Sequence, residues 1–144
     1  MNKSVSSSAL HSPTSGGWLK NGLVAAVLSV VAVLVVQMLA LQLWPEIALF
    51  KPLDSYVRSA VFVVIPVIGA TWLFARLAQR SPQAQSQFVR IAVVVLILSI
   101  IPDYLLPVEH KTLLPSTVTA FLHVVAGVIV IATLTAGYKR MTGA

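Results

Sequence analysis

Four long stretches of this chain carry almost no charge, and that pattern decides what it can fold into. The first, Leu23 to Leu43, holds no ionisable side chain. Its length matches the roughly 20 residues that a helix needs to cross a bilayer core. A secretory signal would have a shorter apolar region and a small-residue cleavage site, so the run is expected to stay as a span. The second stretch, about 57–77, carries Arg58 and Arg76 only at its ends and Pro66 in its middle. A proline there predicts a kink that membrane helices tolerate. The third, about 88–106, has Pro102 and Asp103 in its final third, and the fourth, about 117–137, has His123 as its one ionisable group. None shows the strict alternation of a barrel strand. The expected fold is an all-α integral membrane protein, an antiparallel bundle of four transmembrane helices.

Composition agrees. Of 144 residues, 58% are hydrophobic and only 10% charged, where a soluble domain carries about a quarter charged. One domain fits this length. The Ser-rich residues 1–20, with Pro13 and Gly16-Gly17, read as a disordered tail. Residues 21–138 form the membrane domain and 139–144 a short C-terminal tail. Cysteine is absent, which excludes disulfides, thiolate metal sites and cysteine nucleophiles. Nothing repeats between the two halves in the manner of an inverted-repeat transporter.

The basic residues flank the apolar runs and form no patch interleaved with aromatics. The net charge of +6 therefore indicates a membrane surface and no nucleic-acid partner. Lys3, Lys20, Arg76, Arg80, Arg90, Lys139 and Arg140 fall on one side of the spans, and Lys51, Arg58 and Lys111 on the other. The excess of Lys and Arg marks the cytoplasmic side, which predicts both termini inside and contact with anionic lipid headgroups there. Every acidic residue, Glu46, Asp54, Asp103 and Glu109, then lies outside. Trp44, Tyr56 and Tyr104 fall at outer helix ends and Trp18, Trp72 and Tyr138 at inner ones, as interface anchors do.

Polar groups in lipid need a reason, since a central charge costs about 2.5–3.5 kcal/mol on insertion scales. His123 lies roughly 9 Å into the fourth span. It shares a face with Thr119, Ala120, Ala126 and Gly127, a small-residue stripe suited to packing against another helix. Asp103 follows Ser99 by one turn, Arg58 opens the second span, and Gln37 and Gln42 lie in the outer half of the first. Gln37, Arg58, Asp103 and His123 are thus the candidate ligand-binding cluster, in the outer half of the bilayer. The inner half offers Ser29, Thr71, Thr133 and Thr135, whose hydroxyls can bond back to helix carbonyls. Beside the functional reading stands a plain one. A buried His is a hydrogen-bond donor between helices, Asp103 is solvated at the interface, and Arg58 snorkels to headgroups. A meeting of Asp103 with His123 would make a proton-sensitive pair. A zinc site from Asp103, Glu109, His110 and His123 matches no recognised spacing. Bis-His haem lacks a second imidazole at the depth of His123. No catalytic residue, metal or cofactor is expected.

The segment FVRIAVVVLILSIIP, with Ser99 and Pro102, and the segment TAFLHVVAGVIVIATL, with His123 between Leu and Val, resemble an actinobacterial four-helix membrane family catalogued as domain of unknown function 6069. The first two spans match that family only in hydropathy. The resemblance implies a bacterial plasma-membrane protein and points at His123, and it implies no activity. Small multidrug transporters are similar in span count but place a glutamate in the first span, where this chain has glutamines. Vitamin-K-epoxide-reductase-like and claudin-like proteins need cysteine pairs. Three classes remain, in order: a non-enzymatic accessory or scaffolding subunit, packing as a homo-oligomer or on a partner membrane protein; a small-molecule or proton-linked transporter or receptor using the outer cluster; and a membrane enzyme, whose acid and base only Asp103 and His123 could supply.

Overall fold

A computed structural model describes residues 13–143, and it contains four long helices and, among the described residues, no strand. Helix α1 runs over Ser15–Leu43, α2 over Tyr56–Arg80, α3 over Ala84–Leu105 and α4 over Leu113–Thr142. Two 3-10 turns, Pro45–Leu49 and Lys51–Leu53, link α1 to α2. All four helices are long and apolar enough to cross a bilayer, and in lipid a helix is the element that satisfies its own backbone. The chain is an integral membrane protein of four antiparallel helices.

The helix ends follow from local chemistry. The Thr14 hydroxyl accepts from Gly17 N and the Ser55 hydroxyl from Arg58 N, each serving an otherwise unpaired first-turn amide. Gly143 closes α4 with a φ of 71°, the left-handed conformation that glycine adopts without penalty. Lys139 and Arg140 in the last turn of α4 and Arg80 in that of α2 complement the helix dipoles. The Thr14 cap starts α1 at Ser15, so residues 15–20 are helical and not part of a disordered tail. Residues 1–12 lie outside the described residues. At the other end α4 continues to Thr142 and takes in most of the expected C-terminal tail.

Around the bundle α1 packs on α2 and α4, and α3 packs on the same two from the opposite side. The end that carries the termini and the α2–α3 turn is held by one aromatic ring from each helix. Phe74 of α2 stacks on Phe88 of α3, with centroids 4.3 Å apart and planes 2° off parallel. Trp18 of α1 meets the Phe74 ring edge-on at 5.3 Å, and Tyr138 of α4 lies 5.0 Å from it. Trp18 is therefore buried in the bundle, and Tyr138 is half-buried against the same ring. Trp72 stays exposed, with the Arg76 guanidinium over its ring at 5.8 Å. Close approach of α1 to α4 needs Gly137, because a Cβ there would collide with the Asn21 amide. Asn21 uses that space to donate to Leu134 O at 3.1 Å.

The opposite end is built differently. The α1–α2 linker folds inward and buries Ile47, Phe50 and Leu53, each 1% exposed. Gln37 Nε2 ties it to α1 by donating to Leu53 O at 3.0 Å. Lys111 Nζ caps the end of α3 by donating to Tyr104 O and Leu106 O, both at 2.9 Å. Along α3, only Ala84 and Phe88 are buried, both near its start. Of the most apolar window of each helix, 28% is buried in α1 and α4 but only 6% in α3. Helix α3 is thus pinned at the termini end and loosely held beyond it.

Candidate functional site

Where α3 leaves its neighbours, a cleft of about 550 Å³ opens between α2, α3 and α4. Each wall is one helix face, read at steps of three and four residues. Ala92, Leu96, Ser99 and Asp103 line it from α3; Ser59, Val63, Pro66 and Ala70 from α2; and Thr119, His123, Ala126 and Val130 from α4. Gly127 sets the spacing of α3 and α4, since a Cβ there would lie 2.8 Å from a Leu96 methyl. The lining is mostly apolar, with a few polar groups gathered toward the linker end, the usual make-up of a small-molecule site.

Asp103 and His123 meet at that polar end. His123 Nδ1 lies 3.0 Å from Thr119 O on its own helix and 3.2 Å from Asp103 Oδ2 across the cleft. A carbonyl can only accept, so Nδ1 carries the hydrogen and donates it to Thr119 O. Nε2 takes part in no hydrogen bond among the described residues. The Asp103 side chain is 11% exposed, and its Oδ2 is buried without a hydrogen bond, the imidazole being near but directed to the carbonyl. A buried carboxylate oxygen without a donor is a costly arrangement. Pro66 adds a second acceptor to the lining, because its missing N–H deprives the Phe62 carbonyl of its usual i+4 donor. Both residues face the cleft.

Gln37 and Arg58 are not joined to this pair. Gln37 is fully buried in α1 and holds the linker through Leu53 O, with its own Oε1 left unpaired. Arg58 is exposed and turned back to the linker, where it donates to Lys51 O and to Asp54 Oδ1, the latter at 2.6 Å. Both residues are thus engaged by the linker. Ser99 donates to Leu96 O at 2.7 Å, Thr71 to Val67 O at 2.8 Å and Thr135 to Ile131 O at 2.7 Å, bonding back along their helices. Glu109 pairs with Lys51 at 3.7 Å, and no three His, Asp or Glu side chains gather among the described residues. The zinc combination is not assembled. Asn21, like Ser59 and Ser116, is a buried polar residue that the sequence alone did not single out. Its place beside Lys20 gave it the look of a helix flank, and only Gly137 opposite could have signalled its burial.

These features define a multi-pass membrane protein, a four-helix bundle with an open cleft between its helices. The chain belongs to the family of unknown function DUF6069, whose model matches residues 13–140. That match takes in all four helices, beyond the two segments that carry the resemblance in sequence. No curated protein and no solved structure matches the chain.

Proposed function

We propose that this protein is a receptor or carrier for an apolar small molecule bearing a hydrogen-bond donor, such as an amine or alcohol that partitions into the bilayer. The observation that carries this reading is the buried, donor-less Asp103 Oδ2 at the polar end of the 550 Å³ cleft. A ligand ammonium or hydroxyl supplies the missing donor there, and its apolar part lies along Val63, Ala92 and Val130. His123 lies beside the same oxygen, its Nδ1 3.2 Å away and donating to Thr119 O, and presents Nε2 as a further contact. Gln37 and Arg58 act at one remove, by fixing the linker over the cleft. The seven-to-three bias of basic residues supports a plasma-membrane protein of a bacterium with both termini in the cytoplasm and the cleft in the outer half of the membrane. On the cytoplasmic side the basic flanks meet anionic headgroups.

An accessory or scaffolding subunit is the competing reading. It rested on the small-residue stripe of α4. Gly127 of that face meets Leu96 of the same chain, so that part of it is engaged internally, while Ala132 and Ala136 of the same helix stay exposed. The discriminating experiment is native mass spectrometry of the full chain from a mild detergent. A defined extra mass on wild type, absent from Asp103→Asn at unchanged thermal stability, is the expected result. A bare chain, or the absence of any mass that Asp103→Asn loses, contradicts the ligand role of Asp103. A second polypeptide retained by wild type and lost with His123→Ala favours the accessory role.

A further inference from the structure

A second groove, of about 520 Å³, lies between α1 and α4 at the termini end, separate from the cleft and sharing no residue with it. Its two walls have the same order of chemistry. On α1, Lys20 is followed inward by Val24 and Leu28; on α4, Arg140 is followed inward by Ala136 and Ala132. Lys20 to Leu28 and Arg140 to Ala132 each span eight residues, so the groove runs roughly 12 Å along both helices from its cationic end. Asn21 and Gly137 bring the helices together and form its floor.

We infer that this groove binds an anionic phospholipid, the headgroup phosphate between Lys20 and Arg140 and one acyl chain along Val24, Leu28, Ala132 and Ala136. Charge complementarity carries the assignment. All four acidic residues of the chain lie elsewhere, toward the linker end. Among the described residues neither Lys20 nor Arg140 has a carboxylate partner. Arginine offers a planar fork that matches phosphate oxygens and lysine a mobile point charge, a pairing suited to a phosphodiester. The apolar length that continues from the cations fits an amphiphile held at the headgroup level, which a free phosphate ion would leave empty. A second copy of the chain is a poorer occupant. Twofold packing on this face sets Lys20 and Arg140 against their own equivalents.

The test is native mass spectrometry of the full chain titrated with phosphatidylglycerol or phosphatidylcholine, for wild type, the double variant Lys20→Gln/Arg140→Gln, Ala136→Phe and Asp103→Asn. Wild type retains phosphatidylglycerol in preference to phosphatidylcholine. The double variant loses that preference, with a fall in affinity of about tenfold or more, as expected from two cations near the surface. Ala136→Phe fills the groove and weakens both lipids. Asp103→Asn leaves lipid binding intact, which keeps this site distinct from the cleft. Glycerol 3-phosphate, which lacks the acyl chains, fails to compete. Equal phosphatidylglycerol binding by wild type and the double variant overturns the inference. So does loss of binding in Asp103→Asn, or a stable dimer that Ala136→Phe dissolves.

Discussion

The two ends of this bundle solve the same packing problem in opposite ways. At the termini end four rings, one from each helix, close the interior, and Phe74 touches the other three. At the linker end α3 contributes no buried residue, and the space that a core would fill is the cleft holding Asp103 and His123. In lipid the exterior of a helix needs no partner to satisfy its apolar side chains, so association rests on close packing and on a few interhelical hydrogen bonds. A bundle can therefore be firm at one end and open at the other. The difference separates stability from binding along a single helix, α3.

Breaking the firm end should have the largest effect. Phe74→Ala removes the ring shared by all four helices and is expected to lower stability by about 3–5 kcal/mol, read as a steep loss of melting temperature in detergent. An equal loss from Val95→Ala, on the cleft wall, would erase the distinction between the ends. Gly137→Val should come next, because its side chain meets the Asn21 amide and forces α1 from α4. Overpacking of this kind costs about 1–3 kcal/mol, and Asn21→Ala in the same chain should recover part of it. Gln37→Ala leaves the buried Leu53 carbonyl without its donor, at about 1–3 kcal/mol. It should also speed hydrogen exchange in the Lys51–Leu53 turn while leaving the termini end protected. The smallest change belongs to the site itself. Asp103→Asn should hold or raise the melting temperature, since it removes a poorly satisfied buried charge, yet abolish retention of the cleft ligand. A marked loss of stability in that variant would make Asp103 a structural partner of His123 and nothing more.

How much of this could be read from sequence differs between the two ends for the same physical reason. Span number and position follow from apolar length, which lipid imposes residue by residue, and so the four helices were legible. Asp103 and His123 were legible too, because an ionisable group inside an apolar run stands out wherever its helix packs. Their meeting was not fixed by the pattern, since Gln37 and Arg58 stood out equally and found partners in the linker. The aromatic closure was not legible. Trp18 and Tyr138 occupy positions where interface anchors occur, and only the rotation of each helix turned them inward to Phe74. The cleft left no signature, because a lipid-facing surface and a cavity lining draw on the same apolar residues.

The absence of cysteine from the chain permits a direct test of the open end. A nitroxide attached to a single cysteine at Ser99, on the cleft wall, can be compared in liposomes with one at Leu98, at nearly the same depth on the exposed face of α3. If the cleft opens to the bilayer, oxygen collides with the Ser99 label almost as often as with the Leu98 label. A collision rate at Ser99 reduced to a small fraction of that at Leu98 would mean that α3 packs on α2 along its whole length, and the account of an open binding end would be wrong.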